Sequence, residues 1–88
     1  MIIRFFGAAK AAAGVEEQTL PLPAGGTLAD VLALLVREHP VRAPAGAPAL
    51  PAVLARSSFL RNETALKDHA AVLDDRDVID ILPPFAGG

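Results

Sequence analysis

The 88-residue chain, with a net charge of −2, is sized for one small domain with little core to spare. The lack of a basic stripe argues against a nucleic-acid partner. The absence of cysteine excludes disulfides, thiolate metal sites and cysteine nucleophiles. Much of the 52% hydrophobic fraction is alanine, so the core has to come from the Ile, Leu, Val and Phe positions.

Residues 1–6 are rich in Ile and Phe and free of breakers, which predicts a strand. Met1, Ile3 and Phe5 share one face; Ile2, Arg4 and Phe6 share the other. That second face carries large apolar groups, as a flank of the core or a docking surface would. Residues 8–13, almost pure Ala with Lys10, predict a short helix with Gly14 as its C′ residue. It is too short to be stable without neighbours. A second strand is expected over about 16–22, with Gln18, Leu20 and Leu22 on one face and Pro21 and Pro23 marking an edge.

Ala24, Gly25 and Gly26 form a turn that lacks the pattern of a phosphate loop. Thr27 then predicts a helix cap, with Asp30 completing a capping box. Leu28, Val31, Leu32 and Leu35 make one apolar stripe that needs a sheet to cover. Arg37 and His39 suit the negative end of the helix dipole, and Pro40 ends the helix. The Pro/Ala/Gly stretch 41–49 predicts a mobile loop. A helical turn opened by Pro51 runs through Arg56 with Val53 and Leu54 inward. Residues 58–62 form a short strand, with a short edge pairing near Ala65 and Leu66. Val72 and Leu73 make a small apolar anchor. An acidic turn with Asp74, Asp75 and Asp77 precedes a last strand over 78–82, interrupted only by Asp80.

None of these side chains forms a catalytic constellation. With two histidines and no cysteine, a zinc site is not expected. Ser57 and Ser58 have no evident base. The acidic turn begins with a calcium-loop rhythm but lacks its glycine and closing Glu. A solvated turn is the plain reading; the alternative is a charge complement to a basic partner. No apolar helical run spans a bilayer, and Met1 leads straight into the first strand without a signal-like segment, so a soluble, cytoplasmic protein is expected.

The end of the chain is different. Pro83 and Pro84 stop the sheet, and Phe85, Ala86, Gly87 and Gly88 follow. Fraying is the ordinary fate of a terminus. A hydrophobic strand, a Pro-Pro stop, one aromatic residue and two bare glycines are a more specific combination. Extended from Pro83 to Gly88, the chain reaches roughly 20 Å, and Gly has no Cβ to clash with an enclosing wall. The Gly88 carboxylate is the one reactive group left to explain. As an acyl-adenylate it could pass its acyl group to sulfur or nitrogen, but the nucleophile and the ATP site must belong to partners.

The opening Ile3-Arg4-Phe5-Phe6-Gly7 with Lys10, the helix start Thr27-Leu28, Asn62 after a strand, and above all Leu82-Pro83-Pro84-Phe85-Ala86-Gly87-Gly88 resemble the MoaD/ThiS sulfur-carrier family over nearly the whole length. The likeness is greatest to its molybdopterin-synthase small-subunit branch. The resemblance implies an α+β, β-grasp (ubiquitin-like) fold, a mixed sheet crossed by one main helix with first and last strands parallel. It implies a β-grasp domain over 1–82 and an extended tail over 83–88. It also implies that a MoeB/ThiF-type adenylating enzyme, using ATP and Mg²⁺, activates Gly88, and that a sulfur donor protein converts it to a thiocarboxylate. A MoaE-like large subunit, expected in a heterotetramer, then holds the tail while sulfur moves to the pterin precursor.

Under that resemblance the chain itself binds no cofactor and is a non-catalytic subunit. Gly88 bears the sulfur and Gly87 and Ala86 enter the partner's site. Phe85, Pro84 and Pro83 shape and anchor the tail, and Phe6 is the best candidate for a docking face. Two departures stand out: Arg76 replaces the glycine usual before the last strand, and 41–49 is longer than the family needs. Other acceptors (thiamine thiazole, cysteine, a tRNA base), a ubiquitin-like protein modifier and a plain adaptor domain remain as alternatives.

Overall fold

The computed structural model describes residues 1–39 and 48–84. Its elements in chain order are β1 (Ile2–Phe5), α1 (Gly7–Ala13), β2 (Glu17–Thr19), α2 (Leu28–Glu38), α3 (Leu50–Arg56), β3 (Ser58–Arg61), β4 (Thr64–Ala65) and β5 (Val78–Leu82). The strands form one mixed sheet in the order β2-β1-β5-β3-β4. β1 pairs antiparallel with β2 and parallel with β5, while β3 pairs antiparallel with both β5 and β4.

The alternation in β1 comes out as expected. Met1, Ile3 and Phe5 are buried, and Ile2 and Phe6 face outward. Ile79 and Ile81 of β5 and Phe59 of β3 continue the buried layer, and Leu28, Val31 and Leu35 of α2 press onto it with no exposed surface. Each such side chain contributes on the order of 1.5–3 kcal/mol of burial. Leu32, the fourth residue of the expected stripe, is only partly buried and packs at the core's margin. Leu50, Val53 and Leu54 close one side of the core from α3.

The helix ends are made as their residues dictate. Thr27 Oγ1 accepts from the Asp30 N–H at 3.3 Å, and the Asp30 carboxylate accepts from the Thr27 N–H at 2.9 Å, a complete capping box. Two further first-turn donors, from Leu28 and Ala29, reach the carbonyls of Ala71 and His69. The segment before β5 is thereby tied to the start of α2. α1 ends at Gly14 with φ 78°, a left-handed cap that favours glycine. His39 caps α2 at its C-terminal end, as its position suggested, but its ring also does something specific. Its Nε2 lies 2.6 Å from Gln18 Oε1, and the ring sits edge-on to Phe5 at 5.8 Å.

Several expectations change. β2 is shorter than 16–22 because Pro21 and Pro23 bring no N–H to a ladder, although Leu20 N–H still donates to the Met1 carbonyl at 2.8 Å. Val72 is 59% exposed and anchors nothing; Leu73 alone is buried there. Thr27 and Val72 instead form an isolated backbone bridge. Arg76 turns out to need no glycine, since its φ is not in the left-handed region. The Asp74 carboxylate accepts from the Arg76 N–H at 2.8 Å and the Asp74 carbonyl from the Asp77 N–H at 2.9 Å, so side-chain capping closes the turn. The expected loop over 41–49 lies mostly outside the described residues, which resume at Pro48.

β3 and β4 are joined by a two-residue loop, Asn62-Glu63, with φ of 49° and 70°. Positive φ at both central positions is the type I′ hairpin geometry, in which glycine is favoured second. Glu63 holds a conformation that costs a side-chain-bearing residue about 1 kcal/mol. Glu63→Gly is therefore expected to raise stability by a few tenths to about 1 kcal/mol in denaturant unfolding; a loss of stability would contradict the I′ assignment.

Candidate functional site

β5 occupies the centre of the sheet, between β1 and β3. Its last rungs pair Ile81 with Phe5 and with Phe59, and Leu82 with Ser58. Both neighbours give out there: β1 turns into α1 after Phe5, and β3 only begins at Ser58. The next two residues are Pro83 and Pro84, which have no N–H to offer either neighbour. The sheet therefore stops at Leu82 for lack of both partners and donors.

Pro83, half-buried, lies against the corner between β1 and α1. A Cβ placed on Gly7, whose φ is 51°, would sit 3.9 Å from Pro83 Cγ. Pro84 is exposed, and Phe6, at the same corner, is 43% exposed. The structure thus brings Gly7 and Pro83 together at the point where the chain leaves the sheet, with the exposed Phe6 next to Gly7 in the chain. Phe85, Ala86, Gly87 and Gly88 lie outside the described residues.

Beside this exit lies the sheet face that no helix covers. Its residues follow from the register: Ile2 beside Val78, Arg4 beside Asp80 and Glu17, Leu60 beside Asp80. Leu82 and Phe6 complete it at the exit end. In its middle Arg4 grips Asp80 with two prongs, Nε donating to Oδ1 and Nη2 donating to Oδ2 at 2.8 Å. The hydrogen bond to Asp80 first, then its charge, with smaller contributions from Glu63 and Glu17, raise the Arg4 pKa above its ordinary value. This pair is what sequence reading missed. Asp80 read there as an interruption, and only the parallel register of β1 and β5 reveals that it stands opposite Arg4.

At the other end of β5, the acidic turn is solvated at Asp74 and Asp75, as expected, but not at Asp77. Asp77 is 6% exposed. Its Oδ1 accepts from Asn62 Nδ2 at 2.9 Å, its Oδ2 from the Asp74 N–H at 2.8 Å, and Arg61 Nε lies 2.8 Å from Oδ2. Burial is the largest single effect on this carboxyl and pushes its pKa up. The Asp74 N–H, the Asn62 amide and Arg61 together outweigh burial, and the pKa falls below the ordinary value. Asn62 also accepts from the Val78 N–H at 2.9 Å, stitching the β3–β4 turn to the start of β5. Asp75 binds the Leu22 N–H at 3.0 Å and the N-terminal ammonium at 3.2 Å; these contacts, in that order, lower its pKa. Among the described residues no group of three or more His, Cys, Asp or Glu could hold a metal ion, and no helix is long and apolar enough to cross a membrane.

A mixed sheet with its first and last strands parallel at the centre, one main helix across one face and the chain leaving from the last strand define a β-grasp, ubiquitin-like protein. The chain matches the ThiS family over residues 3–88. It is 31% identical over 87 residues to the molybdopterin synthase sulfur carrier subunit of Chlamydomonas reinhardtii, covering 98% of this chain and 95% of that one. Among solved structures, SAMP1 from Haloferax volcanii superposes with a TM-score of 0.76 at 24% identity, over 100% of this chain and 98% of the other. A complex of subunits 1 and 2 of the molybdopterin-converting factor from Helicobacter pylori contains a chain similar to this one, with a TM-score of 0.63 and 26% identity over 99% of this chain and 96% of that one. The chain belongs to the MoaD/ThiS family of sulfur carriers.

Asp77 and Asp75 make stability pH-dependent. With folded-state pKa values below the unfolded reference near 3.9, the unfolded chain binds more protons as pH falls through that range. The stabilisation is fully present above the unfolded pKa and is lost as pH drops through the depressed folded values. Asp77→Ala is expected to cost about 1–3 kcal/mol at pH 7. By thermal unfolding, the gap to wild type should narrow progressively below about pH 4; a pH-independent gap would contradict the ionised role of Asp77.

Proposed function

We propose that this chain is a sulfur carrier of molybdopterin biosynthesis, with the carboxylate of Gly88 as the sulfur-bearing group. The observation that carries the proposal is the central position of β5 together with its abrupt release at Pro83. The last strand is held from both sides, while Pro83 and Pro84 after it offer no N–H to the ladder, which is what presenting a chain end to another protein requires. The 31% identity to a molybdopterin synthase sulfur carrier subunit across nearly the whole length supports the same reading.

The chemistry needs partners. A carboxylate oxygen of Gly88 attacks the α-phosphorus of ATP in an adenylating enzyme of the MoeB/ThiF type, and pyrophosphate leaves. Sulfur delivered by a donor protein at the oxidation level of sulfide then attacks the acyl carbon and displaces AMP, leaving a thiocarboxylate. A large subunit of the MoaE type receives the loaded terminus, and sulfur passes to the pterin precursor. ATP and Mg²⁺ belong to the adenylating partner. Within this chain, residues 1–82 act as the β-grasp domain and 83–88 as the tail. Gly87 and Ala86 let the tail enter a narrow site because they carry little or no side chain. Phe85, Pro84 and Pro83 orient it, and the exposed Phe6, next to Gly7 at the exit, belongs to the docking face.

Incubation of the chain with the adenylating enzyme, ATP and a sulfur source is expected to change its intact mass by one oxygen-to-sulfur exchange. An unchanged mass, under conditions that load another carrier of the family, would sink the proposal. Conjugates of high mass that depend on Gly88 would point instead to a protein modifier. Deleting Gly88 should abolish loading and leave the thermal unfolding midpoint unchanged. Phe6→Ala should weaken binding to the adenylating enzyme by about 1–2 kcal/mol, read by calorimetry, without unfolding the domain.

A further inference from the structure

The uncovered sheet face is apolar around its centre on three sides, with Glu17 and Thr19 along its β2 edge and Ser58 at its β3 end, and the centre has an unusual construction. The Asp80 side chain is only 7% exposed, although no helix lies over it. Arg4, its neighbour across the parallel rung, closes over it, with 39% of its own side chain still open to solvent. A guanidinium has five N–H donors. Asp80 takes two of them, and among the described residues no other side chain or carbonyl accepts from Arg4. Three donors of a charged group, fixed in direction by a two-pronged hold, are therefore left to solvent. Around them stand Ile2, Val78, Leu60, Leu82 and Phe6, each at least partly exposed.

A partner that buries this apolar collar cannot avoid burying the guanidinium inside it. Covering those donors with hydrocarbon would leave charged hydrogen-bonding groups unsatisfied, a penalty larger than the gain from one buried aliphatic contact. The partner must bring an acceptor. A carboxylate is the wrong one: Asp80 already neutralises Arg4, Glu17 stands directly across from it on β2, and Glu63 acts on it from the β3–β4 turn. A further acid would meet three acids around one guanidinium. An uncharged acceptor meets no such repulsion.

We propose that Arg4, locked by Asp80, is a specificity-determining residue of this face, and that the adenylating partner seats a main-chain carbonyl on its free N–H groups within an otherwise apolar surface. The proposal rests on the sulfur-carrier reading for the identity of the partner. It acts as a filter: an apolar surface lacking the acceptor, or carrying an acid there, binds poorly however well its shape fits.

The test is calorimetric binding of the full chain to a MoeB/ThiF-type adenylating enzyme from the same organism. Arg4→Met combined with Asp80→Leu replaces the pair with apolar groups of similar volume, an exchange that folded proteins tolerate or gain from. The double variant is expected to keep or raise its unfolding midpoint and to bind about 10–100-fold more weakly. Wild-type affinity should change little between low and moderate salt. Arg4→Lys retains the charge without the planar fork and should also weaken binding, which keeps the test decisive if the double variant fails to fold. Wild-type affinity in either folded variant overturns the proposal. A wild-type affinity that falls steeply with salt, and a variant affinity that does not, identifies a charged acceptor and overturns it as well. Binding by the wild type without any mass change on loading overturns the carrier reading and leaves Arg4's role standing; normal loading with unaffected Arg4 variants does the reverse. No binding by the wild type overturns both.

Discussion

The parallel pairing of β1 with β5 is the constraint on which the rest of the molecule depends. Strands at opposite ends of the chain can lie side by side in parallel only if everything between them crosses over and returns. α2 makes that crossing, and its stripe of Leu28, Val31 and Leu35 covers Ile3, Phe5, Ile79 and Ile81 in the same layer. Because β1 and β3 flank β5, that strand is the central one of the sheet. The pairing places Gly7 beside Pro83, and the same register sets Arg4 opposite Asp80. Core, exit and uncovered face all follow from one alignment of strands.

The two ends of β5 are held by different physics. At its start, Asp77 gathers Asn62, Arg61 and the Asp74 N–H, so the β3–β4 turn and the turn before β5 are joined by directional bonds around one buried carboxylate. Such a buried charge is tolerable because three donors meet its two oxygens. At the other end Leu82 is held by the ladder and by packing, and Pro83 and Pro84 bring no N–H to continue it. The strand is thus fixed where it enters and released where it leaves. That asymmetry suits the role proposed for Gly88.

The helix and strand identities were legible because they rest on local rules. The Thr27–Asp30 box, the spacing of Leu28, Val31 and Leu35, the glycine at position 14 and the alternation of Met1, Ile3 and Phe5 each need only a few neighbouring residues to be read. Pro83 and Pro84 announced the end of the sheet for the same reason. Asp77 of the acidic turn was misread because charge density alone suggests solvent. What buries Asp77 is Asn62 and Arg61, fifteen and sixteen positions earlier, and no local pattern connects them. Val72 was misread in the opposite sense, as an apolar residue that had to be an anchor. Its backbone bridges to Thr27, while Leu73 beside it takes the only place in the core.

By itself the sequence determined the elements, the inward faces of β1 and α2, and the point at which the chain must leave the sheet, because propensity, periodicity and proline chemistry act over a turn or two of chain. Its resemblance to the MoaD/ThiS family added the β-grasp topology and the chemistry of the terminus. Only the tertiary structure decided which residues stand opposite one another. Arg4 and Asp80 are 76 positions apart, and they meet solely because β1 and β5 pair in parallel with Ile3 beside Ile79. A one-residue slip of that register would send Asp80 into the core face and Ile81 to the surface. Burial of Ile79 and Ile81 against Leu28 and Leu35 forbids the slip, so the packing of the apolar face is what places the charged pair at the centre of the other.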